Sequence, residues 1–139
     1  MIASSNERNI FVRHFDSSNQ ALSDDILISD LSQISGENWT DTHGSSIARL
    51  KSGDFIAVWA NLSGVDGDAA GVFARFLDPS GDAKGSVFQV NTTYEGNQWS
   101  PAVSALSDGG FVVAWQTPDG SGRSVILQTF DAFGIKRKV

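Results

Sequence analysis

Two short acidic loops hold the residues best suited to a hard cation. Asp66-Gly67-Asp68 offers carboxylates two residues apart, and Asp119-Gly120-Ser121-Gly122 places Asp119 and a hydroxyl in the loop that the flanking sequence marks as equivalent. Calcium takes about six to eight oxygen ligands, many of them carboxylate, so Asp66, Asp68 and Asp119 are the candidate metal ligands. Neither loop has the spacing of an EF-hand or of a calcium-binding nonapeptide array. Asp and Gly also build plain hairpin loops, and that reading takes precedence. Calcium is the one cofactor left open, and no other is expected.

A second set of candidates suits a sugar. Asn38-Trp39 and Gln98-Trp99 stand in connectors that read as equivalent. An exposed indole there would stack on a pyranose face while Asn38 and Gln98 hydrogen-bond its hydroxyls. The competing role is burial between neighbouring sheets, which large aromatics fill most effectively. His43 lies in what reads as a connector insertion at 40–43 and is the better placed of the two histidines for ligand contact. His14 lies in an apolar stretch and reads as structural. The expected ligand-binding set is therefore Trp39, Trp99, Asn38, Gln98 and His43, and a glycan is the candidate ligand.

No catalytic residue is assigned. The chain has no Cys, which excludes a thiolate nucleophile, thiolate zinc and disulfides. Neither histidine has a second histidine at metal spacing or a nucleophile nearby. Nucleophile-elbow and phosphate-loop signatures are absent. Glycoside cleavage needs two converging carboxylates. Asp24, Asp25, Glu37, Asp41 and Glu95 are available for it, and an enzyme of that kind ranks behind a binding module.

Composition narrows the partners. With a net charge of −6, the chain repels phosphate backbones, so nucleic acid is not expected. No apolar run approaches the ~20 residues of a spanning helix, so membrane insertion is not expected either. No leader peptide is recognisable before Ile10. If Met1 is the natural start, the cytoplasm is the implied compartment.

The elements that must position these side chains are repeated. GDFIAVWA at 53–60 recurs as GGFVVAWQ at 109–116, with Phe55 over Phe111 and Trp59 over Trp115 at an offset of 56. The preceding stretch recurs too, SSIARLKSG at 45–53 over PAVSALSDG at 101–109. A third element occurs at 9–16, 71–78 and 124–131 (NIFVRHFD, GVFARFLD, SVILQTFD), and a fourth at 26–29 and 88–91 (ILIS, FQVN). Self-similarity at such a period marks a repeat architecture. The unit reads as four antiparallel strands, and roughly two and a half units fit in the 139 residues: a partial unit and connector over 1–44, a complete one over 45–100 and a partial one over 101–139. Nine strands are expected, with the third unit ending before its fourth strand begins.

Turn chemistry agrees. Ser52-Gly53 and Asp108-Gly109 suit tight hairpins. Asp16-Ser-Ser-Asn19, Asp78-Pro-Ser-Gly81 and Asp131-Ala-Phe-Gly134 share an Asp at the first position and a residue tolerant of positive φ at the fourth. Phe55, Ala57 and Trp59 face one way and Ile56 and Val58 the other, so both faces of that strand are apolar. Sheets buried on both faces need sheets above and below, which points to an all-β, β-propeller-like stack of blades, with a β-sandwich as the alternative.

These units resemble a tandem repeat of very large secreted bacterial proteins, found beside RTX-type modules and adhesins. LSDGGFVVAWQ at 106–116, GVFARFLDPSGDAKGSVFQVN at 71–91 and GNQWSPAVSAL at 96–106 carry the likeness. It implies stacked blades used in adhesion, surface display or ligand binding, and a secreted or cell-surface setting. In the related repeats the Asp/Gly loop is regular, whereas here it is VDGDAAG in one unit and PDGSGRS in the next. Two and a half blades leave apolar faces and strand edges open. Either the chain is a fragment of a longer array or it assembles; the expectation is a non-enzymatic binding or assembly module that completes its blades as a homo-oligomer, a two-fold dimer being simplest.

Overall fold

The computed structural model describes residues 10–29, 42–61, 71–91, 98–118 and 121–137. Among them the chain is all-β, with antiparallel pairing throughout and no helix. Nine strands form three sheets. β1 (Phe11–Val12) pairs with β2 (Ile26–Leu27). β3 (Thr42–Arg49), β4 (Phe55–Asn61), β5 (Gly71–Leu77) and β6 (Ala83–Gln89) form a four-stranded meander in chain order. β7 (Trp99–Ala105), β8 (Phe111–Pro118) and β9 (Arg123–Phe130) form a third sheet of the same order. The sheets do not close into a barrel.

The registers repeat as the sequence does. Trp59 pairs with Phe73 as Trp115 pairs with Ile126, and Ala57 with Arg75 as Val113 with Gln128. Side chains alternate across a strand, so the middle sheet turns one face toward the first sheet and the other toward the third. Ala57, Trp59, Phe73 and Leu77 of the middle sheet meet Ile10 and Ile28 of the first. Ile56, Val58, Val72 and Ala74 meet Phe111, Val113, Trp115 and Phe130 of the third. The Phe111 and Phe130 rings stack with centroids 4.8 Å apart. Two apolar layers thus lie between three sheets, and Val58, Trp59 and Val72 are all fully buried.

The turns hold the meander in register. Leu50 and Leu106 each donate their N–H to the carbonyl four residues on, at Asp54 and Gly110, and Gly53 and Gly109 donate back to Leu50 and Leu106. Both glycines sit at φ near +97°, at +96° and +98°, where a side chain is strained. In the second turn type, Oδ1 of Asp16, Asp78 and Asp131 accepts two backbone N–H groups each, from the residues two and four further on. Asn19, at φ 61°, fills the place of Gly81 and Gly134, the left-handed position expected of it.

Two boundaries differ from expectation. The third sheet does begin a fourth strand: Phe130 bridges Lys136, and Arg137 N–H donates to Thr129 O at 2.9 Å. Arg137 also pairs with Asp108 at 2.8 Å, as Lys84 pairs with Asp54 across the middle sheet. A basic residue on the fourth strand thus reaches the first hairpin in both sheets. The second difference lies in the first-strand ends. Residues 42 and 43 are strand rather than connector, and β3 pairs His43 with Ala60 before a bulge at Gly44. β7 pairs Trp99 with Gln116 before a similar irregularity at Ser100.

Candidate functional site

Most of the expected ligand residues fall where the structure describes no side chain. Asn38, Trp39, Asp66, Asp68 and Asp119 lie outside the described residues. His43 and Trp99 are placed as backbone only: they occupy equivalent ladder positions, opposite Ala60 and Gln116, and each is followed by a positive-φ residue, Gly44 at 50° and Ser100 at 52°. The register therefore matches Trp99 with His43, where the sequence reading had matched it with Trp39. Among the described residues no three His, Asp or Glu side chains gather as metal ligands.

Gln98, expected to hydrogen-bond a glycan, has a partner inside the fold. It is 1% exposed, and its Oε1 accepts a hydrogen bond from Asn91 Nδ2 at 3.1 Å. Asn91 Oδ1 in turn accepts the Val72 N–H at 2.9 Å. A buried amide must be hydrogen-bonded or it destabilises the fold, and this pair satisfies one another at the start of β5. The first sheet repeats the device with a shorter side chain, since Ser29 Oγ accepts the Ile10 N–H at 2.9 Å. Sequence reasoning had the signal in the repeat (ILIS over FQVN), in which Ser29 and Asn91 share a position, but read only strand pattern from it.

His14 is structural in its contacts. Its ring lies edge-on to Phe55 with centroids 6.4 Å apart, and Nδ1 lies 3.3 Å from the Ser80 carbonyl oxygen. The strand-three polar residues hold sheets together. Arg75 Nε donates to Gly85 O at 2.9 Å and Nη1 to Ile28 O at 3.3 Å, which ties the middle sheet to the first. Arg13, at the equivalent place, pairs with Asp25 at 2.9 Å.

The feature that stands out is an open apolar sheet face. On the third sheet Ala114 pairs with Leu127 and Gln116 with Val125. These positions correspond to Val58, Ala74, Ala60 and Val72 of the middle sheet, from the face that the third sheet covers. Val72 and Ala74 are 0% exposed, whereas Val125 is 67% and Leu127 65% exposed. Val112, Ala102, Ser104 and Thr129 share that face by strand alternation and ladder register. None of these side chains is charged. Arg123 stands at the rim, with Nη1 3.4 Å from Gln116 Oε1. Charge is confined to the hairpin ends. The Gly110 N–H and then Arg137 hold the Asp108 carboxyl below its usual value, and burial lowers Lys136.

No family model, no curated protein and no solved structure matches the chain. The open face and the sheet edges therefore carry the functional reading by themselves.

Proposed function

We propose that this chain is a non-catalytic assembly module whose sheets are propeller-like blades, and that it stacks on a second copy of itself. The observation that carries the reading is the uncovered face at Val125 and Leu127, which repeats a face fully covered elsewhere in the same chain. Contiguous exposed apolar surface of this kind marks an interaction site. The fitting cover is the surface that covers its counterpart, namely the preceding-side face of another blade. The first sheet offers one. Phe15 is 49% and Leu27 41% exposed there, beside the Arg13–Asp25 pair.

Stacking the third sheet of one copy on the first sheet of the next repeats the relation seen between sheets inside the chain. Arg13 would then reach across the junction as Arg75 reaches Ile28 O. Head-to-tail contacts generate a closed ring when the rotation closes, and two copies form the smallest such ring. The resemblance to tandem repeats of large secreted proteins, which implies stacked blades, supports the same picture.

The absence of cysteine makes a direct test clean. Leu127→Cys and Phe15→Cys variants are prepared separately, mixed and mildly oxidised. Head-to-tail stacking predicts a disulfide between the two variants. Cross-linking of Leu127→Cys to itself would overturn the head-to-tail arrangement, and no cross-link in any mixture would overturn self-stacking.

A further inference from the structure

The free edge of β1 forms the wall of a groove shaped for one more strand. In the middle sheet, β4 pairs with β5 on one side and lies against β7 of the next sheet. The first sheet has equivalents of β5 and β6, which are β1 and β2. Among the described residues nothing pairs with the other edge of β1. Where that neighbour would lie there is a groove of about 300 Å³ between β1 and the middle sheet, lined by Phe11, Val12, Arg13, Ser45, Ile47 and Ala57. Ile47 is 50% exposed in it.

The backbone at this edge is oriented for pairing. Ile28 N–H donates to Ile10 O, and Leu22 N–H to His14 O. Bonded and non-bonded pairs alternate along an antiparallel ladder. The N–H and C=O groups of Phe11 and Arg13 therefore point away from β2, into the groove. Their counterparts Phe73 and Arg75 make their bonds to Trp59 and Ala57 of β4. The floor shows a matching gap. Val103 N–H, on the outer edge of β7, donates to Ser46 Oγ of the preceding sheet at 3.2 Å. Ile47, the equivalent residue of β3, presents its N–H on the same outer edge, beneath the groove.

We infer that this groove binds an extended segment of a partner protein by strand addition, antiparallel to β1. The segment carries the alternation of β4: apolar side chains at every second position turned onto Ile47 and Ala57, with its backbone paired to Phe11 and Arg13. Main-chain bonds supply affinity in such a mode and alternate side chains supply selectivity. The internal repeat defines the occupant, because β4 fills the corresponding space against the third sheet.

The test uses the full chain and a fluorescent synthetic peptide of the β4 sequence, residues 54–61, extended by lysines at both ends for solubility. Saturable binding is expected. Two changes should weaken it by about tenfold or more, a loss of roughly 1.4 kcal/mol each. One is Ile47→Lys in the protein, an exposed position that the fold tolerates. The other is Ala57→Pro in the peptide, which removes the N–H that meets Arg13 O. The Val125→Asp/Leu127→Asp protein should bind the peptide unchanged, which separates this site from the third-sheet face; Phe15 and Arg13, on the first-sheet side of the proposed stack, also line the groove. No binding by the parent peptide overturns the inference, and so does binding that either change leaves intact.

Discussion

The middle and third sheets carry nearly the same sequence pattern and differ in what covers them. Phe55, Ala57 and Trp59 repeat as Phe111, Val113 and Trp115, and both sets face the preceding sheet and are buried or nearly so. Ile56 and Val58 repeat as Val112 and Ala114. The first pair is fully buried beneath the third sheet, whereas the second lies on an open face with Val125 and Leu127. Apolar patterning on both faces is therefore a property of the unit, and burial is a property of the stack. A face that is apolar by pattern but open by position is the one that the proposed stacking would cover.

Substitutions at matched positions break or sharpen this contrast. The largest expected effect is Val58→Asp, which leaves an unpaired carboxylate between two sheets. It should cost about 4 kcal/mol or more and unfold the chain, as read by circular dichroism at room temperature. Ala114→Asp, at the equivalent place on the open face, should fold normally. If both unfold, the third sheet is covered within the chain and the contrast fails.

Truncation gives a graded version. Phe73→Ala removes a fully packed ring and should cost about 3–5 kcal/mol in urea unfolding. Leu127→Ala, on the open face, should shift monomer stability by no more than about 0.5 kcal/mol. A Leu127→Ala loss as large as that of Phe73→Ala would show that the face is buried in the stable form.

The buried amide pair predicts a smaller difference. Asn91→Ala strands the Val72 N–H and removes the bond to Gln98 Oε1, and should cost about 1–3 kcal/mol. Ser29→Ala strands a single N–H at Ile10 and should fall at the low end of that range. Equal costs would take the Asn91–Gln98 bond out of the account.

The smallest effect concerns acid. The Ser80 hydroxyl, helped by backbone N–H groups from Ser80, Gly81 and Asp82, holds the Asp78 carboxyl below the usual carboxylate range. The unfolded chain takes up that proton first, so the contribution is full above the ordinary carboxylate value and fades as pH falls through the lower folded one. Asp78→Asn keeps the backbone acceptor and loses the titration. Its thermal midpoint should fall less than that of the parent between neutral pH and strong acid. An identical acid response would remove Asp78 from the account.

Much of this was legible in the chain because local chemistry decided it. Asp at the first turn position with Gly or Asn at the fourth gave three hairpins with the same hydrogen bonds. Two-residue alternation gave the faces of β4 and β8. What escaped depended on contacts distant in sequence. Pairing beyond β9 is begun by Lys136 and Arg137, two cationic residues with no apolar strand pattern. Arg137 is held by Asp108, 29 residues earlier (137 − 108 = 29). Gln98 reads in the sequence as a glycan contact because its bond to Asn91 spans the connector between two sheets, which the strand pattern does not reveal. The Trp99–His43 equivalence was hidden by a length difference that only the ladder register resolves.

The most direct test of the central claim is absolute mass by light scattering across a dilution series, for the parent chain and for Val125→Asp/Leu127→Asp. The account predicts a parent that associates into a dimer or larger ring and dissociates on dilution, and a double variant that stays monomeric and equally folded. A parent that is monomeric at every concentration, or a double variant that associates as the parent does, would contradict it.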